Sequence, residues 1–270
     1  EGKFKLGLSA YDIPVTLKTI TRSGLELKKV VKNSGRSVRI VPNTALELNS
    51  AQILHNQLTS ELGCELVFLG DGAQTHVMRT YHIQDIDDYA RRDFGRPMRD
   101  AYVGMLPPKL AQTMLNLAQV TPGQRVLDAF CGTGVLLQEA ALMGCAIYGT
   151  DISDRMIDYS RENISWLENI YHMSVDSTFE VADAQKATWQ PPIDAAVSES
   201  YLGRPMTSLP AREALEPIMQ ECDDIAREFL INLHKQVKPG TRLCIAVPSW
   251  ATTSGFIRLK VVDDLEKMGY

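Results

Sequence analysis

Paired cysteines are missing from this chain. Its 270 residues hold five Cys, at 64, 131, 145, 222 and 244, an odd and scattered set with no C-x-x-C pair. Such spacing supports neither a disulfide framework nor a zinc ribbon, and a reducing cytoplasm suits it best. The five His, at 55, 76, 82, 172 and 234, lack metal-ligand spacing as well, so no metal is expected. Long apolar runs are also absent. The longest, such as residues 140–143, are far too short to cross a bilayer, and no membrane role is expected. No basic, apolar, small-residue start reads as a signal peptide. Eighteen Gly and thirteen Pro are too few for collagen-like or low-complexity sequence, and the lack of any fixed repeat excludes a solenoid. The first residue is Glu rather than Met, so further residues are expected to precede it.

What is present is an average globular composition, 44% apolar and 23% charged, which excludes wholesale disorder. The charge is unevenly laid. Residues 1–40 carry nine Lys/Arg against three acids, a net +6, while residues 123–270 carry thirteen bases against twenty-one acids, a net -8. A basic front on an acidic body suits a polyanion-binding end attached to another activity. Lys28, Lys29, Lys32, Arg36 and Arg39 are the candidate phosphate contacts; on charge alone, a solvated lysine-rich face fits equally well.

Hydrophobic spacing divides the chain. Residues 3–80 read as a small α+β unit: a strand through Phe4, Leu6 and Leu8, a helix over 16–32 interrupted near Gly24, and a short strand over 37–41. A helix over 50–62 capped by Gly63 follows, then two strands around Gly70-Asp71-Gly72. Residues 85–102 form a charged connector with four Arg and five Asp, half of it expected in interdomain salt bridges. Beyond Pro107-Pro108, at a helix N-terminus, helix and strand signals alternate. Strands are expected at 125–128, 146–150, 178–182, 195–198 and 243–247. Helices are expected at 135–143, 155–167 and 209–237, the last kinked or restarted at Pro217, with another beginning at 263. Such alternation implies a doubly wound, mostly parallel sheet.

The sharpest feature is Val126-Leu127-Asp128-Ala129-Phe130-Cys131-Gly132-Thr133-Gly134, a strand ending in an acid before a glycine-rich turn that opens a helix. Backbone can approach a ligand closely there, and the helix N-terminus offers free N–H donors. The dinucleotide fingerprint is incomplete, because Leu137 stands at its third glycine. Asp151, twenty-three residues after Asp128, ends the second strand where a carboxylate can hold ribose hydroxyls, and Asp183 follows the third. Three acids at successive strand ends suit a cationic nucleoside such as S-adenosylmethionine better than a pyrophosphate. Cys131, with no base placed beside it, reads as packing, and Trp166, Trp189 and Trp250 read as core.

The Asp-Ala-Phe-Cys-Gly-Thr-Gly stretch with Asp151 and Asp183 resembles the cofactor site of class I methyltransferases. Arg92-Asp93-Phe94-Gly95-Arg96-Pro97, followed by Val103-Gly104-Met105-Leu106-Pro107-Pro108-Lys109-Leu110-Ala111, resembles the tRNA guanosine-N2 methyltransferases. Residues 34–43 are similar to the end of that family's RNA-binding THUMP segment. The resemblance implies an α/β fold, a Rossmann-like class I methyltransferase domain preceded by a small α+β THUMP-like domain. Its bounds would be 1–84 for the THUMP-like segment, 85–103 for the connector and 104–270 for the methyltransferase domain. It implies S-adenosylmethionine held by Asp128, Phe130, Gly132, Gly134, Asp151, Ile152, Asp183 and Ala184, with tRNA as partner.

Two departures stand out. Where the family has Asp-Pro-Pro-Tyr-Gly, this chain reads Ser198-Glu199-Ser200-Tyr201-Leu202-Gly203. Aligned on Gly203, Glu199 takes the acid's place and Ser200 and Tyr201 those of the prolines, and the upstream Asp194-Ala195-Ala196-Val197 falls into step. Aligned on Tyr201, Ser198 takes the acid's place instead. The first register makes Glu199 the acceptor for a guanine amine and Tyr201 its stacking partner, and loss of the Ser198 hydroxyl is then expected to be nearly silent. The family's closing strand pair is also missing before Tyr270, as expected of a truncated piece or of a domain that has dispensed with it. The expected activity is methylation of guanine N2 in tRNA. An RNA-binding protein with a vestigial pocket, or an adenine-N6 methyltransferase, is the alternative.

Overall fold

The computed structural model describes residues 2–100, 106–206, 208–252 and 255–270. Val103, Gly104 and Met105 of the second motif lie outside the described residues. The chain divides into two compact units, residues 1–90 and 91–270.

In the first unit, β1 (Phe4–Tyr11) is central in a four-stranded sheet of order β2-β1-β3-β4. It is parallel to β2 (Val38–Ile40) and β3 (Gly63–Gly70), and β4 (Thr75–Arg79) pairs antiparallel with β3. Period-two alternation sends Leu6, Leu8 and Ala10 into a core with Ile20, Leu27 and Val31 of α1 (Leu17–Asn33). Gly24 does not interrupt α1; it is buried where the helix rests on Leu8 and Ile40. The expected helix over 50–62 is shorter, α2 (Ser50–His55), closed at its start by a reciprocal Asn49–Gln52 capping box. Gly63 is therefore not its cap but the first residue of β3.

The helix α3 (Ile86–Phe94) runs through the charged connector. Its Arg92 is buried and donates to Glu139 at 2.6 Å, and Asp100 accepts from Arg155 at 2.7 Å. Both pairs lie within the second unit.

The second unit is doubly wound. Its main sheet has five strands, all parallel, in the order β7-β6-β5-β8-β9: β5 (Arg125–Asp128), β6 (Ala146–Asp151), β7 (Ser177–Val181), β8 (Ala195–Glu199) and β9 (Arg242–Ala246). Alternate residues feed opposite cores. Val126, Ile147 and Val197 pack beneath α4 (Pro108–Leu117), α5 (Val135–Leu142) and α6 (Asp154–Tyr171). Leu127, Tyr148 and Ala196 pack beneath α7 (Arg212–His234), with Trp189 and Trp250. Leu137, at the place of the third fingerprint glycine, is fully buried. Its Cδ1 lies 2.6 Å from where a Cβ on Gly149 would stand, so the strand carries the glycine for close helix–sheet approach.

Pro217 neither ends nor restarts α7. As the sixth helical residue its missing N–H forfeits one bond, and the helix continues to His234. The helix expected from 263 is replaced by two 3-10 turns, Lys260–Asp263 and Glu266–Met268. A short antiparallel pair, β10 (Ser249–Thr252) and β11 (Gly255–Arg258), precedes them as a separate two-stranded sheet.

Candidate functional site

Strand order places the site. From β5 the chain winds outward through β6 and β7, then returns to β8 on the other side of β5, so the order reverses between β5 and β8. Crevices at such switch points hold ligands in open α/β sheets. Strands β5 and β8 pair through Val126 with Ala195 and Leu127 with Ala196, whereas β8–β9 holds five pairs. Beyond that point the Ser198 hydroxyl takes over, accepting from the Ala129 N–H at 2.9 Å.

Into this crevice opens a cavity of about 540 Å³. Asp128, Phe130, Gly132, Asp151, Ile152, Asp183 and Ala184 line it, together with Glu199 and Tyr201. Gly134 is the exception. Its backbone is left-handed (φ 80°) and caps α5, and a Cβ there would stand 2.9 Å from the Ser160 hydroxyl, so it packs α6 instead of walling the cavity. Ser198 also lies outside the lining and is fully buried.

The glycine turn is held from behind by residues that sequence reasoning missed. Ser160 and Asn163 sit on the buried face of α6 and donate to the carbonyls of Gly132 and Thr133, each at 2.8 Å. Asn163 also pairs with the backbone of Met98, its Nδ2 donating to the carbonyl and its Oδ1 accepting from the N–H, both at 2.9 Å. Polar residues on an otherwise apolar helix stripe were the available signal. Cys131 is buried in this packing, where desolvation holds its thiol well above the ordinary value; no base activates it.

Asp151 accepts from the Gly132 N–H at 3.0 Å and the Ser153 N–H at 2.9 Å, which ties the second strand's end to the turn. Burial raises its pKa while those two bonds oppose the rise. Each carboxylate oxygen keeps a second lone pair for a ligand hydroxyl. Asp128 is buried outright, and desolvation pushes its carboxyl up to about 7. The Asp151 and Glu199 charges add to that rise, and bonds from Ser198 and the Phe130 N–H work against it. Burial also raises the pKa of Glu199, which is half-buried at the end of β8. Behind the wall, Phe130 meets Phe229 edge-on at 5.0 Å and Phe229 meets Trp189 at 6.2 Å, so Trp189 is core, as expected.

The opposite lip is built differently. Ser200 donates both its N–H and its hydroxyl to the Ala246 carbonyl of β9, each at 2.9 Å. A proline could form neither bond. Sequence reasoning also missed two arginines, Arg155 and Arg204, on the cavity wall.

In the first unit the five candidate phosphate contacts are exposed but do not share a face. Lys28, Lys29 and Lys32 lie on α1, and Arg36 stacks over the Phe4 ring at 4.6 Å. Arg39 stands opposite Lys5 in the β1–β2 register, on the sheet face away from α1. Among the described residues no group of three His, Cys, Asp or Glu could hold a metal, and no helix is long and apolar enough to cross a membrane.

Residues 96–268 match the family model described as "RMKL-like, methyltransferase domain" (UPF0020). A tRNA (guanine(10)-N2)-dimethyltransferase of Methanothermobacter thermautotrophicus is 35% identical over 158 residues, 58% of this chain and 42% of that protein. One of the same name from Pyrococcus abyssi is 27% identical over 244 residues, 84% of this chain and 66% of its own length. The chain thus spans only part of these relatives. The crystal structure of TrmN from Thermus thermophilus superposes with a TM-score of 0.53 at 20% identity, covering 92% of this chain and 62% of that one. With a parallel sheet, a glycine turn at its switch point and a matching family model over most of its length, the chain belongs to the RMKL-like methyltransferase domain family.

Proposed function

We propose that this chain binds S-adenosylmethionine in the crevice and transfers its methyl group to the exocyclic N2 amine of a guanosine in tRNA. The observation that carries the reading is the position of Glu199: a half-buried carboxylate in the same cavity as the glycine turn and Asp151. The residues present fit the cofactor. The cavity volume is in the range of small-molecule sites, and its acids suit a ligand bearing ammonium and sulfonium charges. Asp151 would hold the ribose hydroxyls, Gly132 and Phe130 would flank the ligand, and Ile152 and Ala184 would offer apolar surface to the adenine. When bound, the cofactor supplies an electrophilic methyl group.

The chain's own residues do the rest. A guanine amine is a poor nucleophile because its lone pair is delocalised into the ring. Glu199 accepts a hydrogen from that amine and raises its electron density as the new bond forms. Tyr201 stacks on the base and holds it in line. The first unit serves as a THUMP-like RNA-binding piece, with the α1 lysines and Arg36 toward phosphates, in the cytoplasm where the five free cysteines stay reduced.

The test is transfer of an isotope-labelled methyl group to tRNA, followed by mass spectrometry of the nucleosides. Label in N2-methylguanosine supports the reading. Label in N6-methyladenosine favours the adenine alternative, and cofactor binding without any label favours a vestigial pocket.

A further inference from the structure

The cavity is poorly suited to the phosphates that any RNA target must bring to it. Four carboxylates line it: Asp128, Asp151, Asp183 and Glu199. Among the described residues only two arginines face it, Arg155 and Arg204. The Arg155 charge is offset by the Asp100 carboxylate at 2.7 Å, an acid that is itself only 8% exposed. Arg204 differs in three respects.

It is exposed, at the mouth of the cavity rather than on its floor. Its guanidinium lies near enough to Tyr201, the residue proposed to stack on the target base, to pull that phenol's pKa down against the rise that burial causes, and it keeps donors for a ligand. It also emerges from an anchored point. Gly203, immediately before it, has φ 88°, a conformation that disfavours other residues, and a Cβ there would stand 3.1 Å from Ile218 Cγ2 and 3.4 Å from Cys222 Sγ. The turn is thereby pressed onto α7, which fixes the point from which the next side chain starts.

We propose that Arg204 binds the backbone phosphate of the target nucleotide, holding it at the cavity mouth while the base lies on Tyr201 with its amine toward Glu199. This rests on the methyltransferase reading above. A guanidinium matches a phosphodiester with two parallel hydrogen bonds, which fixes orientation as well as charge. It also offsets the repulsion of four nearby carboxylates for an incoming polyanion. A lysine would supply the charge without the fork.

The experiment compares the parent, Arg204→Ala and Arg204→Lys in steady-state methylation of tRNA, with tRNA binding measured across a salt series. For Arg204→Ala, KM for tRNA should rise roughly tenfold to a hundredfold, the scale of one lost charged hydrogen bond. Its kcat and its affinity for S-adenosylmethionine should stay within about twofold of the parent. The log–log salt slope should lose about 0.7, one single-strand phosphate equivalent. Arg204→Lys should restore the slope and only part of KM. An unchanged KM and slope in Arg204→Ala would overturn the inference, as would a fall in kcat alone, which would make Arg204 a brace for Tyr201. A parent that binds tRNA but methylates nothing would sink the functional reading, and the salt slope of binding would still decide the role of Arg204.

Discussion

The two walls of the cavity are built on different principles. The wall of β5, β6 and β7 is interlocked: Asp151 ties to the Gly132 N–H, Ser160 and Asn163 hold the carbonyls behind the turn, and the Ser198 hydroxyl holds the Ala129 N–H. Every member is fixed by at least one other. The wall that follows β8 is pinned at Ser200 and at Gly203, and between and beyond those points it presents Glu199, Tyr201 and Arg204 to the opening. A ligand of invariant shape suits the first wall. The second has to admit a base from a large polyanion, and fewer internal bonds leave it freer to do so.

Separate construction should mean separable losses. The largest expected effect is on turnover. Glu199→Gln keeps the shape but weakens the acceptor, so methylation of tRNA at saturating cofactor should fall roughly a hundredfold or more, measured by single-turnover kinetics. Asp151→Ala comes next. Its charged hydrogen bonds to the ribose should be worth about 1.5–3 kcal/mol, read as weaker S-adenosylmethionine binding by calorimetry. Unchanged affinity there would mean that the cofactor lies elsewhere.

Ser198→Ala should not be silent, contrary to the expectation drawn from the motif alignment. It strands the buried Ala129 N–H, so about 1–3 kcal/mol of stability should be lost in urea titration. The smallest effect is a pH dependence. Burial pushes the Asp128 carboxyl up to about 7, and a cationic cofactor would favour its ionised form. Affinity should therefore rise as pH climbs toward about 7 and level off above it, by at most about 1.4 kcal/mol per unit of pKa change, and Asp128→Asn should flatten the curve. The same shift has the opposite sign for folding. An acid whose pKa is raised on folding stabilises the chain less as pH climbs from its ordinary value of 3.8 toward 7.

How much could be read from the residues follows the same division. The strands β5 to β9 were legible because each is a short apolar run closed by an acid, a turn or a small residue, and parallel strands buried on both faces leave that signature. The glycine turn was legible because its spacing is local. Ser160 and Asn163 were not, since their partners lie about thirty residues away and only packing brings them together. Arg155 and Arg204 look like any surface arginine until the cavity exists. Arg39 was grouped with the α1 lysines because charge counting ignores faces, and the register with Lys5 turns it to the other side of the sheet. The β10–β11 hairpin is not legible because four-residue strands carry too little alternation to be distinguished from loop.

The most direct test of the two-wall arrangement is the calorimetric dissociation constant of S-adenosylmethionine for Glu199→Gln, measured on the same preparation whose single-turnover rate has been shown to fall. If the carboxylate serves the target base alone, that constant stays within about twofold of the parent value. A weakening of about tenfold or more, in step with the loss of rate, would place Glu199 among the groups that hold the cofactor and contradict the division of labour between the two walls.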